Sequence, residues 1–319
     1  MNRYLIIDGN NILHASNSMS KLTIGQTEVQ AIFGFLRTIR RMVSVYATSV
    51  PIVLFDGASW RKMSYPEYKA NREKSDTASS VKAKSASDSA KLQLPAIIKA
   101  LSLLGVTQVR AFNMEADDMA AILTDRYVKR GDKITLVSGD KDWLQLVGSN
   151  VTWFDPIGDR KVSNVEDLKE KIGIDVADFK QFVEYKALCG DLGDNIPGVG
   201  GVGDKGAQEF LKQFGSFANF SNMCMTGTVD PATLPKKFRD LHDDEDKIIA
   251  FARNIKLMDL RTKSRPDPIN LQVDRGEPNL AKFRALCERF MFKSFTKDLE
   301  NWVSVFAAHA DEFDKEKAA

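Results

Sequence analysis

Carboxylates dominate the residues of this chain that could do chemistry. Asp8, Asp56, Asp140 and Asp155 each close a short apolar run: Tyr4-LII, Pro51-IVLF, Ile134-TLVSG and Val151-TWF. Three denser clusters accompany them: Glu115-Ala-Asp117-Asp118, Asp140-Lys-Asp142 and Asp191-Leu-Gly-Asp194. Taken singly, each cluster is explained by a helix N-terminus, where acids cap free N–H groups and complement the dipole, or by a turn. Taken together, the set of Asp8, Asp56, Glu115, Asp117, Asp118, Asp140, Asp142, Asp191 and Asp194, with no matching basic cluster, would repel itself unless cations were bound. Oxygen donors without His or Cys select hard ions such as Mg²⁺ or Mn²⁺. Two such ions about 3.5–4 Å apart would clamp the attacking and leaving oxygens of a phosphodiester. Asp155 is set apart, because the Pro156 that follows makes it a turn initiator.

The elements that must bring these acids together can be read from hydrophobic pattern. Near-continuous apolar runs of four or five residues indicate strands buried on both faces of a parallel sheet, and Val106-TQVRAF before Glu115 supplies another. Amphipathic stripes over Val29–Val45, Leu92–Leu104 and Met119–Val128 indicate helices between them. The alternation predicts an α/β fold with a mostly parallel central sheet flanked by helices and right-handed crossovers. Ligands of such sheets collect beyond the carboxyl ends of the strands, where Asp8, Asp56, Asp140 and the Glu115 region would converge. After about residue 165 the strand signals fade. Helical patterns follow over Val176–Leu188, Gly206–Phe214, Asp246–Leu257 and Lys282–Phe292, and DEFDKEKAA reads as a solvated tail.

Composition sets wider bounds. The 319 residues are 43% hydrophobic, enough for a proper core, and carry 45 basic against 43 acidic groups, so net charge says little about partners. Cys189, Cys224 and Cys287 are widely spaced and odd in number, which favours reduced thiols over zinc or disulfides. No apolar run is long enough for a membrane span, and the first apolar run is too short for a signal peptide. These features predict a soluble cytoplasmic protein. Glu73–Leu92 is rich in Ser, Ala and Lys with Val81 its one large aliphatic residue, so it reads as a mobile loop or marginal helix. Upstream, Trp60–Glu73 is basic and interleaved with aromatics, a composition that suits single-stranded nucleic acid.

Gly198-Val-Gly-Gly-Val-Gly203 matches G-x-G-x-x-G, but its context is helix–loop–helix rather than strand–loop–helix. The dinucleotide-binding reading therefore fails. A Walker loop fails too, because Asp204 stands where its lysine belongs. What remains is a hairpin of bare backbone N–H groups at a helix start, suited to a DNA phosphate.

At this point the motifs resemble a family. LFDG with Asp56, MEADDMA with Glu115, SGDKDWLQLV with Asp140, GDLGDNIPGVGGVGDKGA with Asp191, and Pro-Glu-Tyr68-Lys69-Ala-Asn-Arg72 run in the order found in flap endonucleases and 5′–3′ exonucleases. That group includes phage 5′-nucleases and the 5′-nuclease domain of bacterial DNA polymerase I. The resemblance covers about residues 4–211. It implies a PIN-like nuclease core over 1–165 and a helix-hairpin-helix-type DNA-binding region over 166–319, with the hairpin at 196–207. One metal site would take Asp8, Asp56, Glu115, Asp117 and Asp118, and a second Asp140, Asp142, Asp191 and Asp194. Lys69 and Arg72 would act on the scissile phosphate, Tyr68 would stack on a base, and Arg61 would contact DNA. A gateway and arch over about 60–92 would pass the single-stranded 5′ end. Gly198, Gly200, Gly201, Gly203 and Lys205 would grip the duplex, through a bound K⁺. Two departures are visible: His14-Ala15 arrives one residue early for the family's Arg-Ala pair, and Lys205-Gly206-Ala207 lacks a hydroxyl. Implied activities are Mg²⁺-dependent 5′–3′ exonuclease and 5′-flap cleavage, with RNA primer removal from RNA–DNA hybrids. The expected state is a stand-alone monomer acting on 5′ flaps or 5′ ends.

Other function classes compete. A catalytically inactive DNA-binding module would have no electrostatic reason to keep nine acids. A PIN-type ribonuclease uses fewer carboxylates and lacks the glycine-rich module. A nicotinamide enzyme has only the glycine pattern in its favour.

Overall fold

The computed structural model describes residues 1–72 and 78–307, and for 78–83 the backbone alone. Lys74, the Lys82 side chain and the 311–319 tail, all part of the sequence expectations, lie outside the described residues. Among the described residues the first half alternates as the apolar runs require. β1 (Arg3–Asp8) leads to α1 (Gly9–Asn17), a small hairpin of β2 (Thr23–Ile24) and β3 (Thr27–Glu28), α2 (Gln30–Val45) and β4 (Val50–Leu54). Next come α3 (Arg61–Ser64), α4 (Ala78–Leu103), β5 (Thr107–Arg110), α5 (Ala116–Lys129), β6 (Lys133–Val137), β7 (Val151–Asp155) and β8 (Arg160–Val162). The polar segment that reads as a loop or marginal helix is thus helical from Ala78, continuous with the amphipathic stretch expected from Leu92.

The sheet runs β5-β4-β1-β6-β7 in parallel, with β8 antiparallel at one edge. β1 lies at its centre, so alternate residues serve opposite faces. Tyr4 and Ile6 join a core with α5 residues such as Met119 and Ala120. Leu5 and Ile7 join the other, with Phe35 and Ile39 of α2 and Leu101 of α4.

The second half is helical: α6 (Val165–Ile172), α7 (Phe179–Cys189), α8 (Asp204–Phe214), α9 (Phe217–Met225), α10 (Lys236–Asp243) and α11 (Glu245–Met258). A two-stranded ribbon, β9 (Gly190–Asp191) and β10 (Ile196–Pro197), ties the Asp191–Asp194 turn to the glycine hairpin. A cluster of Phe210, Phe214, Phe220 and Phe238 holds this unit together.

The expectation of one helical region over 166–319 needs correction. β11 (Gln272–Asp274) pairs antiparallel with β5 and completes a seven-stranded sheet. α12 (Leu280–Arg289), α13 (Lys293–Thr296) and α14 (Leu299–Ala307) then bury Phe283, Phe295, Trp302 and Phe306 in the core of α2 and α4. The chain's last described helices therefore belong to the α/β layer. No described helix is long and apolar enough to cross a membrane.

Candidate active site

Parallel strands deliver their carboxyl ends to one edge, and four acids collect there. Asp8 ends β1 and caps α1: its Oδ1 accepts from the Asn11 N–H at 2.9 Å, and its Oδ2 from the Ser138 hydroxyl at 2.7 Å. Asp56, just beyond β4, accepts from the Ala116 N–H at 2.7 Å at the start of α5. Asp117 accepts from the indole N–H of buried Trp143 at 2.6 Å. Asp140, beyond β6, caps the Lys141–Leu146 turn of 3₁₀ helix through the Asp142 N–H at 2.8 Å.

Burial pushes the Asp8 carboxyl up to about 6, with the Asp56 charge adding to it. Burial and the neighbouring Asp142 raise Asp140 to about 7. Asp117 is raised well above the usual carboxylate range, by burial and then by Asp140, Asp8, Glu115 and Asp56. None of these four acids makes a salt bridge among the described residues, although Lys69 and Arg72 act on Asp56, and Lys186 on Asp140, against the rise.

The other five acids are neutralised from within, which overturns the expectation that no basic group accompanies the cluster. Arg61 bonds Asp118 through both terminal nitrogens at 2.9 Å and Glu115 through one of them at 2.9 Å. Lys69 bonds Glu115 at 2.5 Å, and Arg72 bonds Asp194 at 2.8 Å. Lys186 sits 2.7 Å from Asp142 and 2.7 Å from Asp191. Burial opposes ionisation of Glu115, yet Lys69 and Arg61 hold its carboxyl below the usual range. Asp191 is lowered in the same way by Lys186.

A recess of about 10 Å³ lies among Asp117, Asp142, Asp191 and Asp194, large enough for one water-sized guest. Among the described residues, no group of three or more His, Cys, Asp or Glu converges closely enough to hold a metal ion as it stands. The donor chemistry nonetheless fits hard cations: uncompensated carboxylates at the mouth of a buried edge, with no soft ligand among them.

Comparison with known proteins agrees with this architecture. Residues 3–173 match the family described as "5′-3′ exonuclease, N-terminal resolvase-like domain", and 177–273 match "5′-3′ exonuclease, C-terminal SAM fold". The chain belongs to the 5′–3′ exonuclease family. A 5′-3′ exonuclease of Aquifex aeolicus is 33% identical over 69% of this chain and 72% of its own. DNA polymerase I of Caldicellulosiruptor bescii is 32% identical over 82% of this chain, which spans only 31% of that longer protein. Among solved structures, the phage T5 5′-exonuclease with bound zinc superposes with a TM-score of 0.65 at 25% identity, covering 95% of this chain and 100% of that one.

For this 5′–3′ exonuclease relative, the structure corrects three site expectations. Arg61 is 2% exposed and donates to the Leu257 carbonyl as well as to its carboxylates, so it is a buried brace with no surface for DNA. Tyr68 is also 2% exposed, and its hydroxyl donates to Asp194 at 2.9 Å and Glu115 at 3.1 Å, so its ring is not presented to a base. Asp118 is fully buried, with Oδ1 accepting from Arg61 and Oδ2 from Arg61, the Trp60 indole at 3.2 Å and the Glu115 N–H, so it braces the start of α5 rather than facing the mouth.

Lys69 and Arg72 remain at the mouth. The Lys69 backbone has φ 58°, a left-handed conformation that costs a non-glycine residue about 1 kcal/mol. Its N–H bonds the Asp194 carbonyl at 2.9 Å, which ties the gate to the Asp191–Asp194 turn. Gly200, Gly201, Gly203 and Lys205 are exposed as expected. Gly198 serves packing, because a Cβ there would lie 2.4 Å from the Cys189 carbonyl oxygen.

Sequence reasoning missed the groups that hold the hairpin from behind. Lys247 of α11 donates to the Gly200 carbonyl at 3.2 Å while paired with Asp240 at 3.0 Å. Arg253 and Asn254 donate to the Pro197 carbonyl at 3.3 and 2.8 Å. Lys186 was missed as well. Its position one turn before the end of α7, five residues ahead of Asp191, is the one signal that could have found it. Asp155 is engaged as its exclusion requires, by Arg160 at 2.7 Å and the Ile157 and Gly158 N–H groups.

Proposed function

We propose that this chain hydrolyses phosphodiesters at 5′ ends and 5′ flaps of DNA, using divalent cations held by the carboxylate edge. The observation that carries it is the gathering of Asp8, Asp56, Asp117 and Asp140, mutually repelling and with no salt bridge of their own among the described residues, beside the Lys69–Arg72 gate. Asp8, Asp56, Asp117 and Glu115 would hold one ion, and Asp140, Asp142, Asp191 and Asp194 a second. Asp118 holds Arg61 instead. When bound, Mg²⁺ supplies charge stabilisation at the reacting phosphate and lowers the pKa of water, and Mn²⁺ has the right hardness to substitute.

The chain's own groups do the rest. Asp8 and Asp140 present buried oxygens whose orientation is fixed by the Asn11, Ser138 and Asp142 donors. Lys69 bonds Glu115 and Arg72 bonds Asp194, and with substrate present they turn to the scissile phosphate, where a cation stabilises charge developing in the transition state. The backbone N–H groups of the exposed residues Gly200, Gly201 and Gly203 would take a duplex phosphate. A monovalent ion there would draw on carbonyls other than those of Pro197 and Gly200, which Arg253, Asn254 and Lys247 occupy. The place of action is the cytoplasm of a bacterial or phage-infected cell, where such DNA lies, and RNA–DNA hybrids fit the same backbone-directed site.

A 5′-labelled flap incubated with and without Mg²⁺ tests the assignment. Metal-dependent release of the flap supports it, and no cleavage under any divalent ion refutes it.

A further inference from the structure

Two segments far apart in sequence are cross-bonded at the mouth: the gate, residues 67–72, and the turn at 192–195 that carries Asp194. The Lys69 N–H donates to the Asp194 carbonyl at 2.9 Å. On each side of that bond a side-chain amide reaches across to backbone. Asn195 donates through Nδ2 to the Glu67 carbonyl at 2.7 Å, and Asn71 through Nδ2 to the Leu192 carbonyl at 2.8 Å. The contacts run in antiparallel order, and each segment supplies one asparagine to the other's backbone. The result is a reciprocal clasp.

The turn is its rigid half. The Asp191 carboxylate accepts from the Asp194 N–H at 3.1 Å, the Asn195 N–H closes on the Leu192 carbonyl at 3.3 Å, and Ile196 pairs with Asp191 in the β9–β10 ribbon. Asn195 holds left-handed backbone at φ 57°, a region that asparagine enters more readily than most non-glycine residues. The gate takes its position from that turn. Beyond local turn bonds, every hydrogen bond that Lys69, Asn71 and Arg72 make among the described residues ends on the turn or on Glu115. A strained residue persists where its surroundings over-determine it. Lys69, at φ 58°, is bracketed by the two asparagine bonds.

The clasp separates backbone from side chain. Its three bonds end on main-chain carbonyls, while the Lys69 ammonium rests on Glu115 and the Arg72 guanidinium on Asp194. Those two cations can exchange a carboxylate for a phosphate without moving the backbone that carries them.

We propose that Asn71 and Asn195 are positioning residues, which hold the gate backbone in register with the Asp194 turn so that Lys69 swings to the scissile phosphate from a fixed point. The inference rests on the nuclease reading for the phosphate. It makes the register of two segments a determinant of rate, since misplacing a reacting group by about 1 Å costs on the order of a hundredfold.

Three measurements on the full chain test it. In EDTA, amide hydrogen exchange of an Asn71→Ala/Asn195→Gly variant should quicken over residues 67–72 and stay unchanged in β1. Glycine keeps the left-handed backbone at 195, so that substitution removes the amide alone. With Mg²⁺ and saturating 5′-flap DNA, the single-turnover rate should fall by about tenfold in each single variant and about a hundredfold in the pair, while affinity for the flap in EDTA holds within about twofold. In a Lys69→Ala background the same pair should cost less than about threefold, because residues that act through one another are not additive. Unchanged exchange at the gate, a wild-type rate in the pair, or an equal loss with and without Lys69 would overturn the assignment. Exchange that quickens in β1 as well would make the asparagines fold supports and overturn it too. A wild type that leaves the flap intact would overturn the nuclease reading, on which the exchange experiment does not depend.

Discussion

Arg61 grips Asp118 through two parallel bonds of 2.9 Å, with the arginine side chain 3% exposed and the aspartate not at all. The same guanidinium reaches Glu115 and lies 4.9 Å from the Trp60 ring. It thereby fixes the start of α5 against the segment that carries the gate. Removing one member of such a buried pair strands a charge and costs about 3–5 kcal/mol. Arg61→Ala should therefore lower thermal stability by many degrees. Arg61→Lys, which cannot make the bidentate contact, should fall between. Unchanged melting of Arg61→Ala, with weakened DNA binding alone, would return Arg61 to the DNA interface.

Lys186 plays a comparable part for Asp142 and Asp191 but lies nearer the mouth. Lys186→Met should lower the melting temperature in EDTA, because two carboxylates lose their shared counter-charge. A divalent ion would then find a vacated cation position, so Mg²⁺ should stabilise the variant more than the wild type. At a hundredfold excess over its dissociation constant an ion contributes about 2.7 kcal/mol. Thermal melts with and without Mg²⁺ check this, and an equal shift in both proteins would contradict it.

How far the site was legible depended on which property carried it. Asp8, Asp56 and Asp140 were readable because a short continuous run of β-branched and aromatic residues marks a strand buried on both faces, and a parallel strand has one functional end. The fates of Arg61 and Tyr68 were not. A basic and aromatic segment looks the same whether it faces solvent or folds onto buried carboxylates, and the choice rests on Glu115 and Asp118 some fifty residues away. β11 was invisible for another reason: Gln272–Asp274 is three exposed residues with no apolar alternation, recruited by β5's open edge. The Lys282–Phe292 pattern announced a helix carrying Phe283 but not its partner, which turned out to be α2 and α4, and Phe295 and Trp302 on the two helices that follow went unread.

The Lys247 contact to Gly200 makes a separate prediction for DNA binding. Gly200 and Gly201 both hold left-handed backbone, with φ of 80° and 76°, and Lys247 steadies their exposed loop through the Gly200 carbonyl. Lys247→Met should weaken duplex binding by about five- to tenfold, the worth of roughly one ordinary hydrogen bond. The single-turnover rate at saturating DNA should stay unchanged. A slowed rate with unaltered affinity would place Lys247 elsewhere.

Acid lability should trace partly to Asp155. Although burial opposes it, the Gly158 N–H and Arg160 hold this carboxyl below its ordinary range. A depressed folded-state pKa contributes stability above the unfolded value near 3.8 and loses it as pH falls through the folded one. Asp155→Asn should thus melt earlier than the wild type at neutral pH, and the two curves should converge below about pH 4. A gap that persists at low pH would show that packing, not charge, is what the substitution removes.

The sharpest contrast is between Asp140 and Lys186. Asp140 lies among like charges that burial prevents water from screening, so in the absence of ions its carboxylate works against the fold. Replacing it with Asn removes that repulsion and keeps an oxygen for the Asp142 N–H. Asp140→Asn should therefore melt higher than the wild type in EDTA, opposite in sign to Lys186→Met. Adding Mg²⁺ should stabilise the wild type and do little for the variant, whose flap cleavage should fall by at least a hundredfold. Sites built for binding are commonly destabilising when empty, and removing the strain trades activity for stability. If Asp140→Asn instead melts lower in EDTA, the carboxylate is a structural cap first, and the electrostatic account of this edge is wrong.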